Sequence, residues 1–123
     1  MSTIADIKTL LTGVESSIYL SSRPNTPAIT CVLYDTGGRT PSHVFDAIAY
    51  YQPTIQVYIR DTDYEDGYAR CEAISVLLNG TTEQTINSKR YISVFQMGDI
   101  FFLGYDEKNQ AELTVNFVCK VEK

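Results

Sequence analysis

Apolar residues recur along this chain with two periods, and each period marks a different element. Ile4, Ile7, Leu10, Leu11 and Val14 fall on one helical face. Ser2 or Thr3 stands ready to cap that helix, Asp6 sits in its first turn, and Gly13 marks its stop. Residues 17–21 read as a short strand, and Arg23-Pro24-Asn25-Thr26-Pro27 as a turn-rich break. The β-branched, apolar stretch from Ile29 to Tyr34 predicts a buried strand. Ile55, Val57 and Ile59 alternate with Gln56, Tyr58 and Arg60, the pattern of a half-buried strand. Thr62 followed by Glu65 fits a capping box. The helix it opens aligns Tyr64, Tyr68, Cys71, Ile74 and Leu78 and ends at Asn79-Gly80. Residues 84–86 and 90–97 predict a hairpin around Asn87-Ser88, with Gly98-Asp99 breaking the run. Leu113, Val115, Phe117, Cys119 and Val121 then alternate with polar residues, the clearest strand pattern in the chain.

These elements predict an α/β (α+β) fold: a mixed, mostly antiparallel sheet of about four to six strands packed against two helices. Repeats, linkers and low-complexity tracts are absent, so residues 1–123 are expected to form one domain. The least decided stretch is 36–52. Thr36-Gly37-Gly38-Arg39-Thr40-Pro41 reads as a flexible loop. The residues after it, including Val44, Phe45, Ile48 and Tyr51, read as either a brief helical turn or a long arm. Together they make the longest irregular connection expected here, and such connections are usually functional or disordered.

Composition narrows the function classes. The formal net charge is −5, which disfavours binding of nucleic acid through its phosphates. An acidic wall is still compatible with DNA sliding past it. The nine tyrosines supply amphipathic area suited to cores and interfaces alike. Cys31, Cys71 and Cys119 are odd in number, lie in apolar patterns and form no CxxC or Cys/His cluster. They read as small core residues in a reducing compartment, not as a zinc site. No signal peptide is recognisable, and no apolar run approaches the roughly 20 residues of a membrane span. A cytosolic protein without membrane contact or cofactor is expected.

Candidate chemistry is sparse. Asp35-Thr36-Gly37 follows the apolar strand Cys31-Val32-Leu33-Tyr34 and looks like the active-site turn of aspartic proteases, in which two such carboxylates share a proton. Phe102-Leu103-Gly104 lies downstream, about where those enzymes carry an apolar-apolar-Gly strand. Two departures count against the match: Gly38 stands where Ala or Ser is usual, and a capped helix occupies the place of the flap strands. His43 is the only histidine, and no serine sits in a nucleophile elbow. Gly37-Gly38-Arg39-Thr40 lacks the spacing of a phosphate loop. Asp99, Asp106 and Glu107 lack the spacing of a calcium loop. Asn79-Gly80-Thr81 fits a glycosylation acceptor, which has no meaning without secretion.

A composite of motifs points elsewhere. In order, these are Asp35-Thr36-Gly37-Gly38, the strand Pro53 to Arg60, the helix from Tyr64, Arg90-Tyr91-Ile92, Leu103-Gly104-Tyr105-Asp106-Glu107 and Asn116-Phe117. Across residues 19–122 this order and spacing resemble the minor capsid or tail terminator proteins of long-tailed bacteriophages. The resemblance absorbs the Asp-Thr-Gly-Gly turn into a family pattern, which removes the main case for a protease. It departs at Gln110-Ala111-Glu112, near which many relatives carry a basic residue.

The resemblance implies a structural virion protein of the tail or neck, made in the host cytoplasm. It would assemble with itself into a ring of roughly six copies. Its other partners would be the tail tube protein and the head–tail connector protein, with DNA passing through the lumen unbound. No catalytic, cofactor or metal residue is implied. Two segments suit the contacts: the connection beginning at Asp35, Gly37, Gly38 and Arg39, and a loop from 99 to 109 holding Asp99, Phe101, Phe102, Tyr105 and Asp106. The aromatics of the second segment read equally as a core plug or as interface anchors. Another neck protein, a tail-tube subunit, or a protease dimer using Asp35 are the competing readings.

Overall fold

The computed structural model describes residues 2–25, 28–44 and 47–122, with 39–44 and 47–49 described at the backbone. Helix α1 (Thr3–Leu11) begins where Ser2 accepts a hydrogen bond from the Ala5 amide. It buries Ile4, Ile7 and Leu11. The helix stops before Gly13, so Val14 leaves the predicted stripe and is exposed. Strands β1 (Ile18–Leu20) and β2 (Thr30–Asp35) follow, paired in parallel. Then come β3 (Arg39–Val44), β4 (Ala47–Gln52) and β5 (Thr54–Asp61). Helix α2 (Tyr64–Leu78) is capped by Asp63, whose carboxylate accepts from the Asp66 amide at 3.0 Å. The cap is therefore one residue later than the expected Thr62. Strands β6 (Thr81–Ile86), β7 (Lys89–Tyr105) and β8 (Ala111–Glu122) complete the order.

Among the described residues these eight strands make one sheet. Two of its members are interrupted ribbons. Thr54 pairs with Val118 and Tyr51 with Val121, and between them the Pro53 carbonyl accepts from the Cys119 amide at 2.8 Å. β4 and β5 thus run as one line along β8. β2 and β3 follow them on the other side with one bulge between. Counting each line once leaves six strands, all antiparallel apart from the β1–β2 pair. The mostly antiparallel α/β architecture matches the sequence pattern.

One sheet face is covered by the helices. Cys31, Leu33, Ile55, Val57, Ile59, Leu113, Val115, Phe117 and Cys119 pack there against Ile7, Leu11, Cys71, Ile74 and Leu78. Full burial of each large apolar side chain contributes about 1.5–3 kcal/mol. The opposite face is closed over β2 and β5 by residues 21–25 and 28–29. Arg23 lies 4.0 Å from the Tyr58 ring centroid and donates to the Tyr34 hydroxyl at 2.7 Å. Arg60 donates to the carbonyls of Pro24 (2.6 Å) and Ala28 (3.1 Å). Tyr58 and Val32 are consequently fully buried on that side.

Two polar clusters tie distant segments together. Arg70 of α2 bonds Glu15, Asp61 (3.0 Å) and the carbonyls of Arg60 (2.9 Å) and Thr30 (3.1 Å). Asp6 of α1 is fully buried and accepts from Asn87 (2.6 Å) and Tyr91 (2.5 Å), with Lys89 at 2.7 Å. Their partners lie on other elements, so these clusters close the core at its polar rims.

Candidate assembly interface

The first predicted segment is a seam. Asp35 ends β2, is exposed, and its carboxylate accepts from the Gly37 amide at 3.1 Å. The hydroxyls of Thr36 and Thr54 lie 2.6 Å apart, and the Gly38 amide donates to Thr54 Oγ1 at 3.0 Å. Gly37 and Gly38 take φ of +92° and +86°, a region that L side chains rarely adopt. A Cβ on Gly38 would also stand 2.7 Å from the Gln52 carbonyl oxygen. The turn is thus a bulge that lets β2 continue as β3 while pressing close to β4. Arg39 opens β3, and its side chain, like that of His43, lies outside the described residues.

Past this seam, among the described residues, β3 and β4 pair in the sheet with each other alone once β4 has run beyond Tyr50, the partner of Glu122. The stretch expected to be irregular is therefore a two-stranded arm leading away from the end of β8. Of the two sequence alternatives, helical turn or arm, the arm is what forms over 39–44 and 47–52, and Phe45 lies outside the described residues.

The second segment corrects the sequence reading. Residues 99–109 are not a loop: β7 runs to Tyr105, and only 106–110 turn. Gly98 and Gly104, at φ +76° and +120°, sit at register shifts that bulge the strand without ending it. Asp106 closes the turn, its carboxylate accepting from the Lys108 amide (2.9 Å) and the Gln110 amide (2.8 Å). Asp99 is exposed and lines a shallow groove with Tyr68, Glu72, Ser75, Val76 and Ile100.

Because β7 continues, its aromatics divide between two faces. Phe102 and Tyr105 lie on the helix side, where Tyr64 meets Phe102 edge-on at 4.9 Å and Phe102 meets Tyr105 at 5.3 Å. Phe101 pairs with Thr114 on the outer face and is 62% exposed. Phe95 (49% exposed), Met97 and Val118 share that outer face. Sequence reasoning missed Phe95 and Met97, although their alternation with Gln96 carried the signal.

The two predicted segments do not meet. Asp35 pairs with Ile55, Ile55 with Phe117 and Phe117 with Gln96, so β5 and β8 stand between β2 and β7. Tyr105 lies level with Ala111 and Asp61, six residues farther along β5 and roughly 20 Å away. Phe102-Leu103-Gly104 is likewise remote from Asp35. The seam and the far part of the second segment, from Tyr105 on, mark opposite ends of the sheet.

Titratable groups in the body are buried for structure. Burial, the hydrogen bond to Glu112 and its charge push the Tyr58 phenol well above its usual range. Burial raises Cys31, Cys71 and Cys119 to about 12, and all three are free thiols. Among the described residues no His, Cys, Asp and Glu group could hold a metal, and no helix is long and apolar enough to cross a membrane.

Comparison with known proteins agrees with this architecture. A chain in a solved structure titled as the virion of a native gene transfer agent particle aligns with a TM-score of 0.68 at 13% identity, covering 99% of this chain and 96% of its own. A second solved chain, whose title describes no function, aligns with a TM-score of 0.58 at 12% identity, covering 97% and 92%. At such identities both likenesses speak to the fold alone. No curated protein matches the sequence. Residues 6–123 match the family described as bacteriophage tail terminator protein. With nearly its whole length inside that match, the chain belongs to the bacteriophage tail terminator proteins, a family of structural phage tail proteins.

Proposed function

We propose that the whole chain acts as one terminator domain that assembles into a closed ring of about six copies. The ring sits on the head-proximal end of the tail tube, stops tube growth and presents a surface to the head connector. The observation that carries this reading is the β3–β4 arm, which extends past the end of β8. An isolated two-stranded ribbon is marginal in water, so the arm gains support by lying on a neighbour. Arm and seam at one end of the sheet, and the 106–110 turn at the other, give the protein two surfaces for two neighbours.

The work is recognition and capping, not bond chemistry. In this reading Asp35 is a turn residue, since its carboxylate holds the Gly37 amide. The chain resides in the virion tail after assembly in the host cytoplasm. Its net charge of −5 suits a lumen through which DNA passes without being held.

The test is growth of the cognate tail tube protein with and without this chain, followed by electron microscopy. Tubes that stop at capped ends bearing a ring are expected. Tube lengths unchanged by the chain would contradict capping. Tubes built from the chain itself would assign it to the tube instead.

A further inference from the structure

We propose that the uncovered half of the outer sheet face, formed by Phe95, Met97, Phe101 and Val118, receives the β3–β4 arm of a second copy of this chain. The inference rests on the ring reading and names the surface that the arm meets. The outer face is treated unequally by its own chain. Over β2 and β5 a strap of residues 21–25 and 28–29 covers it, with Arg23 on Tyr58 and Arg60 bonded to Pro24 and Ala28. The strap reaches β8 at Glu112, 3.7 Å from Arg23, but Phe95 and Phe101 on β7 stand 49% and 62% exposed.

At its base the arm borders this patch, with Gln52 lining a groove beside Phe95 and Val118, but its outer part cannot reach Phe101 on its own molecule. β4 lies antiparallel to β8, so moving from Tyr51 back to Ala47 leads past Glu122 and away from the sheet. Phe101 is level with Thr114, eight residues back along β8, or roughly 27 Å in the other direction. The outer part of the ribbon and Phe101 therefore find each other only between molecules.

Their chemistry is compatible. Across 39–52 the residues with a full charge at neutral pH are Arg39 and Asp46, of opposite sign, and Ala47, Ile48 and Ala49 are apolar. Laying the apolar stretch 47–49 on an aromatic face requires no charge to be desolvated. Donor and receiver are different surfaces, so the contact is heterologous, the type that makes a ring when its rotation closes and a filament when it does not.

The experiment places the photo-crosslinker p-benzoylphenylalanine at position 101, a site exposed enough to tolerate it. Equal amounts of isotope-labelled and unlabelled protein are mixed, assembled, irradiated and digested, with light scattering on the same samples. Cross-links from position 101 to residues 39–52 of the other isotope are expected. Phe101→Asp and the milder Phe95→Ser should each raise the concentration for half-assembly at least about tenfold. Their melting temperatures should stay near that of the parent chain. Combining Phe101→Asp with a shortened arm should add little to either alone, since both remove one contact.

Assembled protein whose cross-links lead to other segments would overturn the contact and leave the ring standing. So would assembly unchanged in both variants. Cross-links that appear only to tail tube or connector protein, once these are added, would reassign the patch to that partner. A chain that neither assembles nor cross-links to a second copy, alone or on tubes, would overturn contact and ring together.

Discussion

The Tyr91 hydroxyl donates to the buried carboxylate of Asp6 at 2.5 Å, joining the first helical turn to the strand that begins 83 residues after it. Asn87 and Lys89 converge on the same carboxylate. Replacing Asp6 with Ala strands these donors and should cost roughly 3–5 kcal/mol, measured by urea unfolding. Tyr91→Phe removes one charge-assisted bond and should cost about 2 kcal/mol.

The same cluster sets an acid limit. Burial alone would raise the pKa of Asp6, but the bonds from Asn87, Lys89 and Tyr91 outweigh it and hold the folded value low. A depressed folded pKa stabilises the fold fully above the unfolded value of about 4. That contribution is lost as pH falls through the lower folded value. Unfolding free energy should therefore drop below about pH 4, and Asp6→Asn should flatten this part of the profile.

Arg70 bridges α2 to Glu15, Asp61 and two strand carbonyls. Arg70→Ala leaves two nearly buried carboxylates unpaired and should cost about 3–5 kcal/mol. Arg70→Lys should recover little, because a single ammonium cannot reproduce the planar fork. Thermal melts of the three proteins check both statements.

Gly38→Ala brings a Cβ within 2.7 Å of the Gln52 carbonyl at a φ of +86°. A loss of about 1–3 kcal/mol is expected, with the change confined to the seam. Gly37→Ala meets open space and should cost less. Hydrogen exchange of β3 and β4 amides, compared between the two variants, shows whether the arm base loosens.

The three cysteines are buried, and burial raises each thiol to about 12. Native protein at pH 8 should resist iodoacetamide, whereas denatured protein should take up label at all three sites, as read by intact mass. Labelling of the native chain would show that the core opens.

The parts of the fold legible in the sequence are those set by local period. Cys71, Ile74 and Leu78 recur as a helix face must, and Leu113 to Val121 alternate as a strand must. The illegible parts depend on partners far along the chain. Gly98-Asp99 looks like a break, yet pairing with β8 carries β7 through it as a bulge. Phe101 and Phe102 read as one aromatic cluster, but a continuing strand sends them to opposite faces. The bonds of Asp6 and Arg70 join residues up to 85 positions apart, a separation that no local pattern encodes.

The central claim is ring assembly through the arm, and mass is its most direct measure. Light scattering across a concentration series, with negative-stain imaging of the same samples, should show monomer converting to one closed ring of fixed size. Shortening the arm between Ser42 and Ala47 should hold the chain as a folded monomer at every concentration. A strict dimer, or rings that form equally well without the arm, would contradict the account.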